Sequence, residues 1–259
     1  MKKFIGSLCA AVLLGSAVQA DFLRVEMGGG VWEQTPSGYA ERHDNDGVLK
    51  LDGTYTSNEK ASSEVYVWAL LKHPIPIVPN LRLEYVTLSD KGQTTGSVGG
   101  MKIPGTAPTT IDTKQYDVIP YYNLLDNTFW LTLDIGIDAK FVQSDATVGA
   151  VSSGIPGVPD FSGYSSTDST VIPLLYLRTR AQIPATGIGL EADAKAITDG
   201  TNTAYDVRAK IDYTLEFVPV IQPGIEVGYR AIKLKVDDGT KSQVDLDYQG
   251  IYAGMMLRF

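Results

Sequence analysis

From Tyr205 to Phe217 the chain alternates without a break. Tyr205, Val207, Ala209, Ile211, Tyr213, Leu215 and Phe217 are apolar, and Asp206, Arg208, Lys210, Asp212, Thr214 and Glu216 between them are polar. Successive side chains of an extended strand point to opposite faces, so this run is one strand with an apolar face and a charged face. A second run reads the same way, with Phe129, Leu131, Leu133, Ile135, Ile137, Ala139 and Phe141 set against Trp130, Thr132, Asp134, Gly136, Asp138 and Lys140. Each run is about 13 residues long, whereas ordinary globular strands run about 5–6 and a strand tilted across an outer membrane needs about 9–11. The length points to an all-β chain folded as an antiparallel up-and-down transmembrane β-barrel. A secreted or periplasmic β-sandwich is the alternative, since its strands also alternate apolar with polar.

Weaker alternation marks Leu23–Trp32, Glu64–Leu71, Leu81–Leu88, Lys114–Tyr122, Val171–Arg180, Ile188–Ile197, Ile225–Val236 and Val244–Phe259. With the two strong runs these predict about ten strands, eight or twelve being the alternatives. Val48–Leu51, inside the stretch 38–55, adds the option of an extra hairpin above the membrane. Connections sort by length, as expected when one set faces the periplasm and the other the outside. Residues 33–62, 89–112 and 143–168 read as long external loops rich in Gly, Ser, Thr and Asp. Residues 73–80, 124–127, 181–187 and 218–224 read as short periplasmic turns, and Asp199-Gly200 and Asp237-Asp238-Gly239 as compact external ones. An even strand count returns both termini to the periplasm.

The two ends of the chain agree with an outer-membrane destination. Met1-Lys2-Lys3 is a basic start, Phe4–Val18 is apolar, and Val18-Gln19-Ala20 ends in small residues, so residues 1–20 are expected to be a secretory signal peptide cleaved after Ala20. The apolar run is too short to anchor the chain as a helix, and no later run is long enough to span a bilayer as one. Cys9, the one cysteine, lies inside that run, which leaves residues 21–259 as a single barrel domain with neither disulfide nor lipid anchor. At the far end Tyr252, Gly254, Leu257 and Phe259 match the spacing of a C-terminal signal for the outer-membrane assembly machinery. The net charge is -8, and losing Lys2 and Lys3 makes the mature chain more acidic still. An acidic chain lacks the basic footprint that nucleic acid requires.

Charge decides which face is the inner one. A Lys or Arg facing the lipid midplane costs about 2–4 kcal/mol, so Lys140, Arg208 and Lys210 are expected to point into the lumen with the acids in phase with them. The expected lumen network is Asp134, Asp138, Lys140, Glu191, Asp193, Lys195, Asp206, Arg208, Lys210 and Asp212, joined by Arg82, Glu84 and Arg230. Ten strands about 4.8 Å apart and tilted about 40° close at a backbone radius near about 10 Å, which such side chains can largely fill. Mutual neutralisation in a plugged barrel is the favoured outcome, and a selective ion path the alternative.

The mature N-terminus reads Asp21-Phe22, Val25-Glu26, Gly28-Gly29-Gly30-Val31-Trp32 and Pro36-Ser37-Gly38, followed later by His73-Pro74-Ile75-Pro76-Ile77-Val78-Pro79-Asn80-Leu81-Arg82. These stretches resemble the Gly-Gly family of outer-membrane β-barrel proteins of Gram-negative bacteria. The resemblance implies one barrel domain in the outer membrane, in contact with membrane lipid and lipopolysaccharide. It brings no activity, substrate, cofactor or catalytic residue. Physically, the glycines permit a bulge or a close approach of neighbouring strands, and the Pro-rich segment is a rigid turn.

Candidates for chemistry are few. His43, in His43-Asp44-Asn45-Asp46-Gly47, lies in the first external loop beside carboxylates and is the one candidate general base of a rim enzyme. His73 falls in a predicted turn and reads as structural. Asp44, Asn45 and Asp46, like Asp237 and Asp238, fall short of a full calcium loop. Nucleotide-binding fingerprints, zinc spacing and a mature cysteine nucleophile are all missing, so no cofactor and no metal are expected. Three tasks follow: a structural or narrow small-solute transport barrel, a rim enzyme using His43, and an adhesin-like protein binding through its external loops. The first is favoured, and the chain is expected not to be an enzyme.

Overall fold

A computed structural model describes residues 23–43, 50–75, 77–128, 130–215, 221–237, 239 and 242–259. The expected signal peptide, Asp44–Gly47 and Asp238 lie outside them. In chain order the strands are β1 (Arg24–His43), β2 (Leu51–Ser57), β3 (Ser62–Lys72), β4 (Asn80–Val98), β5 (Met101–Thr128), β6 (Leu131–Val148), β7 (Tyr164–Gln182), β8 (Ile188–Thr198), β9 (Thr203–Thr214), β10 (Gln222–Asp237) and β11 (Ser242–Arg258). Every pairing is antiparallel, and β11 returns to β1 over Glu26–Arg42, so the sheet closes on itself. Closure removes the free edges that a sandwich keeps.

The eleven strands fill ten positions around the barrel. β2 pairs with the outer part of β1 (Tyr39–His43) and β3 with its inner part (Arg24–Gln34), and both also pair with β4. They are two halves of one barrel position, interrupted at 58–61. At the break Glu59 takes a positive φ of 55°, Asn58 N–H donates to the Lys91 carbonyl (2.9 Å), and Glu59 N–H donates to Ser57 Oγ (3.1 Å).

Among the described residues the expected segments fall on strands except at their ends, Leu23, Trp130, Leu215 and Phe259, while Phe129, Glu216 and Phe217 lie outside the description; two of the three expected long loops are strand over most of their described length. Residues 89–98 and 101–112 continue β4 and β5 as one hairpin that turns at Gly99-Gly100, whose φ values are 57° and 78°. Two consecutive positive φ values make the tight turn whose twist matches that of the flanking strands. Likewise β1 runs on to His43 and β2 starts at Leu51, which is the extra hairpin above the membrane. A true external loop remains at 149–163, pinned by the Val151–Phe161 bridge and by Asp160, whose Oδ1 accepts from Ser152 Oγ and Ser153 N–H. Those two donors hold the Asp160 carboxyl below the usual carboxylate range.

Outside, an apolar belt circles the wall. Val31, Val67, Leu83, Val118, Ile137, Leu175, Leu190, Ile211, Val227 and Ile251 are all exposed, Ile137 at 60%. A belt on every strand position is the surface a barrel presents to hydrocarbon. Beyond it, towards the external hairpins, the outward positions turn polar: on β4 Thr87, Ser89 and Lys91 follow Leu83 and Tyr85. Inside there are two apolar clusters. Trp32, Tyr66, Trp68, Tyr121, Tyr176 and Tyr252 belong to the one that accompanies the charged lumen. Leu51, Tyr55, Val98, Ile103, Ala107, Ala146, Val148 and Phe161 form the other, within the external hairpins.

Candidate functional site

The site is the interior of the membrane-spanning part. Antiparallel register sets opposite charges side by side on the inner face: Glu191 faces Lys210, Asp193 faces Arg208 and Lys195 faces Asp206 between β8 and β9. Arg178 faces Asp193 and Arg180 faces Glu191 between β7 and β8, Asp134 faces Arg178 between β6 and β7, and Asp117 faces Lys140 between β5 and β6. Directly opposed residues lie about 4.5–5.5 Å apart, so each pair is within reach without strain.

The ten network residues expected from phase are all buried on the inner face. Nine of them form ion pairs. Arg178 binds Asp134 (2.6 Å) and Glu191 (2.7 Å), Arg180 binds Asp212 (2.6 Å) and Glu191 (3.2 Å), and Lys210 binds Glu226 (2.7 Å). Lys140 binds Asp117 (2.9 Å) and Asp206 (3.1 Å), and Arg230 binds Asp206 (2.6 Å).

Some bonds cross the lumen. Glu84 stands on β4, five of the ten positions around the ring from β9, yet Arg208 Nη2 on β9 donates to Glu84 Oε1 (2.9 Å) as well as to Asp193 Oδ2 (2.8 Å). Lys195 Nζ reaches Glu84 Oε2 (2.8 Å), Asp117 Oδ2 (2.5 Å) and Asp206 Oδ2 (3.0 Å). Arg82 bonds Glu84 (2.6 Å) and reaches Glu191 (3.3 Å). Aromatic groups close the remaining space: Tyr66 Oη and Trp68 Nε1 both donate to Glu226 Oε1 (2.9 Å each), and Lys210 Nζ lies 4.3 Å from the Trp68 ring centroid. Groups from opposite walls meet, so the interior is a filled lattice.

Among the described residues nine basic and eleven acidic side chains are buried, and Arg24 at the rim adds a cation for Glu26. Two buried acids have no ion pair among the described residues, Asp138 and Asp90. Asp138 is 0% exposed and neither carboxyl oxygen has a hydrogen-bond partner. Sequence reasoning missed Glu26, Asp117, Arg178, Arg180, Glu226 and Arg258 as lattice members. The period-two phase carried the signal for Asp117, Arg178 and Arg180, which alternate with Val118, Leu177 and Thr179.

The other candidates sit apart. His43 ends β1 on the external side, exposed, with Nδ1 3.4 Å from Asp52 Oδ1 and Nε2 3.3 Å from Glu41 Oε1. Both ring nitrogens are turned to carboxylates. His73 closes the β3–β4 turn, its Nδ1 accepting from Ile75 N–H (3.2 Å) and its Nε2 lying 3.1 Å from the Pro79 carbonyl. Asp237 Oδ1 accepts from Gly239 N–H and so serves its own turn. At the C-terminus Tyr252 points inward against Tyr66 (5.0 Å between centroids), Gly254 faces Gly30, Leu257 faces outward, and Phe259 exchanges main-chain bonds with Val25.

Neither the protein-family models nor the curated proteins compared with this chain match it. Among solved structures, the outer membrane protease OmpT from Escherichia coli aligns with a TM-score of 0.50 at 9% identity, over 95% of this chain and 99% of that one. The fold is that of an outer-membrane β-barrel. A Pseudomonas aeruginosa FadL homologue aligns at a TM-score of 0.39 with 9% identity, over 92% of this chain and 90% of that one. The Pseudomonas putida toluene transporter TodX aligns at 0.31 with 10% identity, over 96% and 93%.

Proposed function

We propose that this chain is an integral outer-membrane protein of a Gram-negative bacterium, a structural barrel whose lumen is closed by its own ion pairs and passes at most small solutes through narrow, transient gaps. The observation that supports the closed state is the bonding of Glu84 to Arg208 and Lys195 from the far wall. Several kcal/mol of desolvation per buried ion is offset only when such partners stay in place, so the lattice resists opening. In this reading the chain belongs to the Gly-Gly family, is exported by a cleaved signal peptide, and contacts lipid and lipopolysaccharide through its belt. The assembly machinery receives it through Tyr252, Gly254, Leu257 and Phe259, and no catalysis is assigned to His43.

Two measurements test it. The protein should fractionate with outer membranes and migrate heat-modifiably on gels, because a closed barrel has no frayed edge for detergent to enter. In planar bilayers the unmodified protein should show small, rare conductance steps. Recovery as a soluble periplasmic protein overturns the location, and large steady currents overturn the closed lumen.

A further inference from the structure

Above the apolar belt, the external half of the barrel holds a carboxyl that the lumen lattice does not neutralise. Asp90 lies on the inner face of β4, 1% exposed, and has no ion pair among the described residues. Its Oδ1 accepts a hydrogen bond from Ser57 Oγ (2.8 Å), and its Oδ2 has no partner. Around it β1 supplies Gln34, β2 supplies Tyr55 and Ser57, β5 supplies Ile111 and β11 supplies Tyr248. The titratable groups facing it are therefore the two tyrosines, and both are neutral.

Three polar atoms of this cluster have no partner: Gln34 Oε1, Asp90 Oδ2 and the Tyr55 hydroxyl. Gln34 uses its Nε2 on Ser62 Oγ (3.1 Å) and the Ser89 carbonyl (3.3 Å), while its Oε1 has no donor. Asp90 Oδ2 also lacks a donor. An ionised carboxylate only accepts and has no cation facing it among the described residues, whereas a protonated one carries no charge and both donates and accepts. Position gives the proton a consequence. Ser57 is the last residue of β2, and its Oγ both donates to Asp90 and accepts Glu59 N–H (3.1 Å), so this hydroxyl joins the Asn58–Lys91 main-chain bond in tying the interruption at 58–61 to β4.

We propose that Asp90 keeps its proton in the folded barrel and acts as a proton-held latch on the broken strand, tightening the external half in acid and loosening it as the pH rises. Burial pushes the Asp90 carboxyl upward, with the Ser57 and Tyr55 hydroxyls partly opposing. A carboxyl raised on folding contributes stability that is fully present below its unfolded value, about 3.9, and is lost as the pH climbs through the folded value. The latch stands whether or not the lower lumen conducts.

Hydrogen exchange of the full chain in detergent, corrected for intrinsic pH dependence, reads it. Opening of Leu51–Ser57 should increase about tenfold for each pH unit between about 3.9 and the folded value, and level off above it. In Asp90→Asn, whose amide keeps an acceptor for Ser57 and brings its own donors, exchange should stay flat and as slow at pH 8.5 as the unmodified protein is in acid. An infrared band for a protonated carboxyl, sought at a pH where exposed carboxyls are already ionised, should vanish in Asp90→Asn and persist in Ser57→Ala, which guards against mere misfolding. The same pH slope in both proteins, or no such band, overturns the latch. So does sodium, potassium or calcium chloride restoring slow exchange at pH 8.5, since Asp90 would then hold a metal cation in place of a proton.

Discussion

Each glycine of Gly28-Gly29-Gly30 has a distinct neighbour that explains it. A Cβ on Gly28 would lie 2.7 Å from Trp68 Nε1, the atom that bonds Glu226, and a Cβ on Gly30 would lie 2.0 Å from the Ala253 carbonyl. The sequence left bulge and close approach both open, and the structure shows close approach, because the deciding partners come from β3 and β11. The inward charges were legible for a different reason: phase along one strand is local, and a charge on the lipid side is prohibitive. What phase does not carry is pairing, so Asp138 looks like any other lattice acid until its neighbours are in place. Its two oxygens have no partner at 0% exposure, so ionising it there would leave an uncompensated buried charge. Asp138→Asn removes the ionisable group at constant shape and is expected to stabilise the barrel in alkali, where the carboxyl would be charged, by about 1–3 kcal/mol. Thermal unfolding followed by gel mobility checks it, and a lower midpoint for Asp138→Asn would show that Asp138 is held by partners of its own.

At the scale of strands, the spanning segments were legible and the external hairpins were not. Along 131–141 one face meets lipid and the other the lattice, so apolar and polar alternate strictly. Above the belt the outer face meets water and the inner face packs small groups, as in Lys91, Gln93 and Thr95 against Gly92, Thr94 and Gly96. Both faces then draw on Thr, Gly and Gln, and a strand reads as a loop. The closing strand carries its own test. β11 pairs with both β10 and β1, and Phe259 completes the seam by exchanging main-chain bonds with Val25. Phe141 is an exposed belt residue on β6, where another apolar side chain serves as well. Deleting Phe259 should therefore cut the yield of assembled, heat-modifiable protein severely, while Phe141→Leu leaves it near normal. Equal yields would show that the terminal residue matters only as one more apolar contact.

For the whole molecule the open question is whether the lattice is a seal, and Arg208 is the residue on which this turns. It bridges the full width of the interior, from Asp193 beside it to Glu84 on the opposite wall, with Tyr252 close by on the adjoining cluster. Arg208→Ala strands Asp193, leaves Glu84 to Arg82 and Lys195, and removes the volume that filled the centre. Breaking one partner out of a buried pair costs about 3–5 kcal/mol, so the melting point should fall measurably in a chain of this size. A stranded carboxylate recruits water, and water in the centre is a path. Conductance steps should therefore become more frequent in Arg208→Ala than in the unmodified protein, and cation-selective, because the exposed group is an acid. Replacement by Lys, which restores charge without the two-sided reach of a guanidinium, should recover part of the stability and leave openings at an intermediate frequency. A variant that is less stable yet conducts no more than the parent would mean that the aromatic cluster around Trp32, Tyr66 and Tyr252 makes the seal, with the charges serving only to hold the wall together.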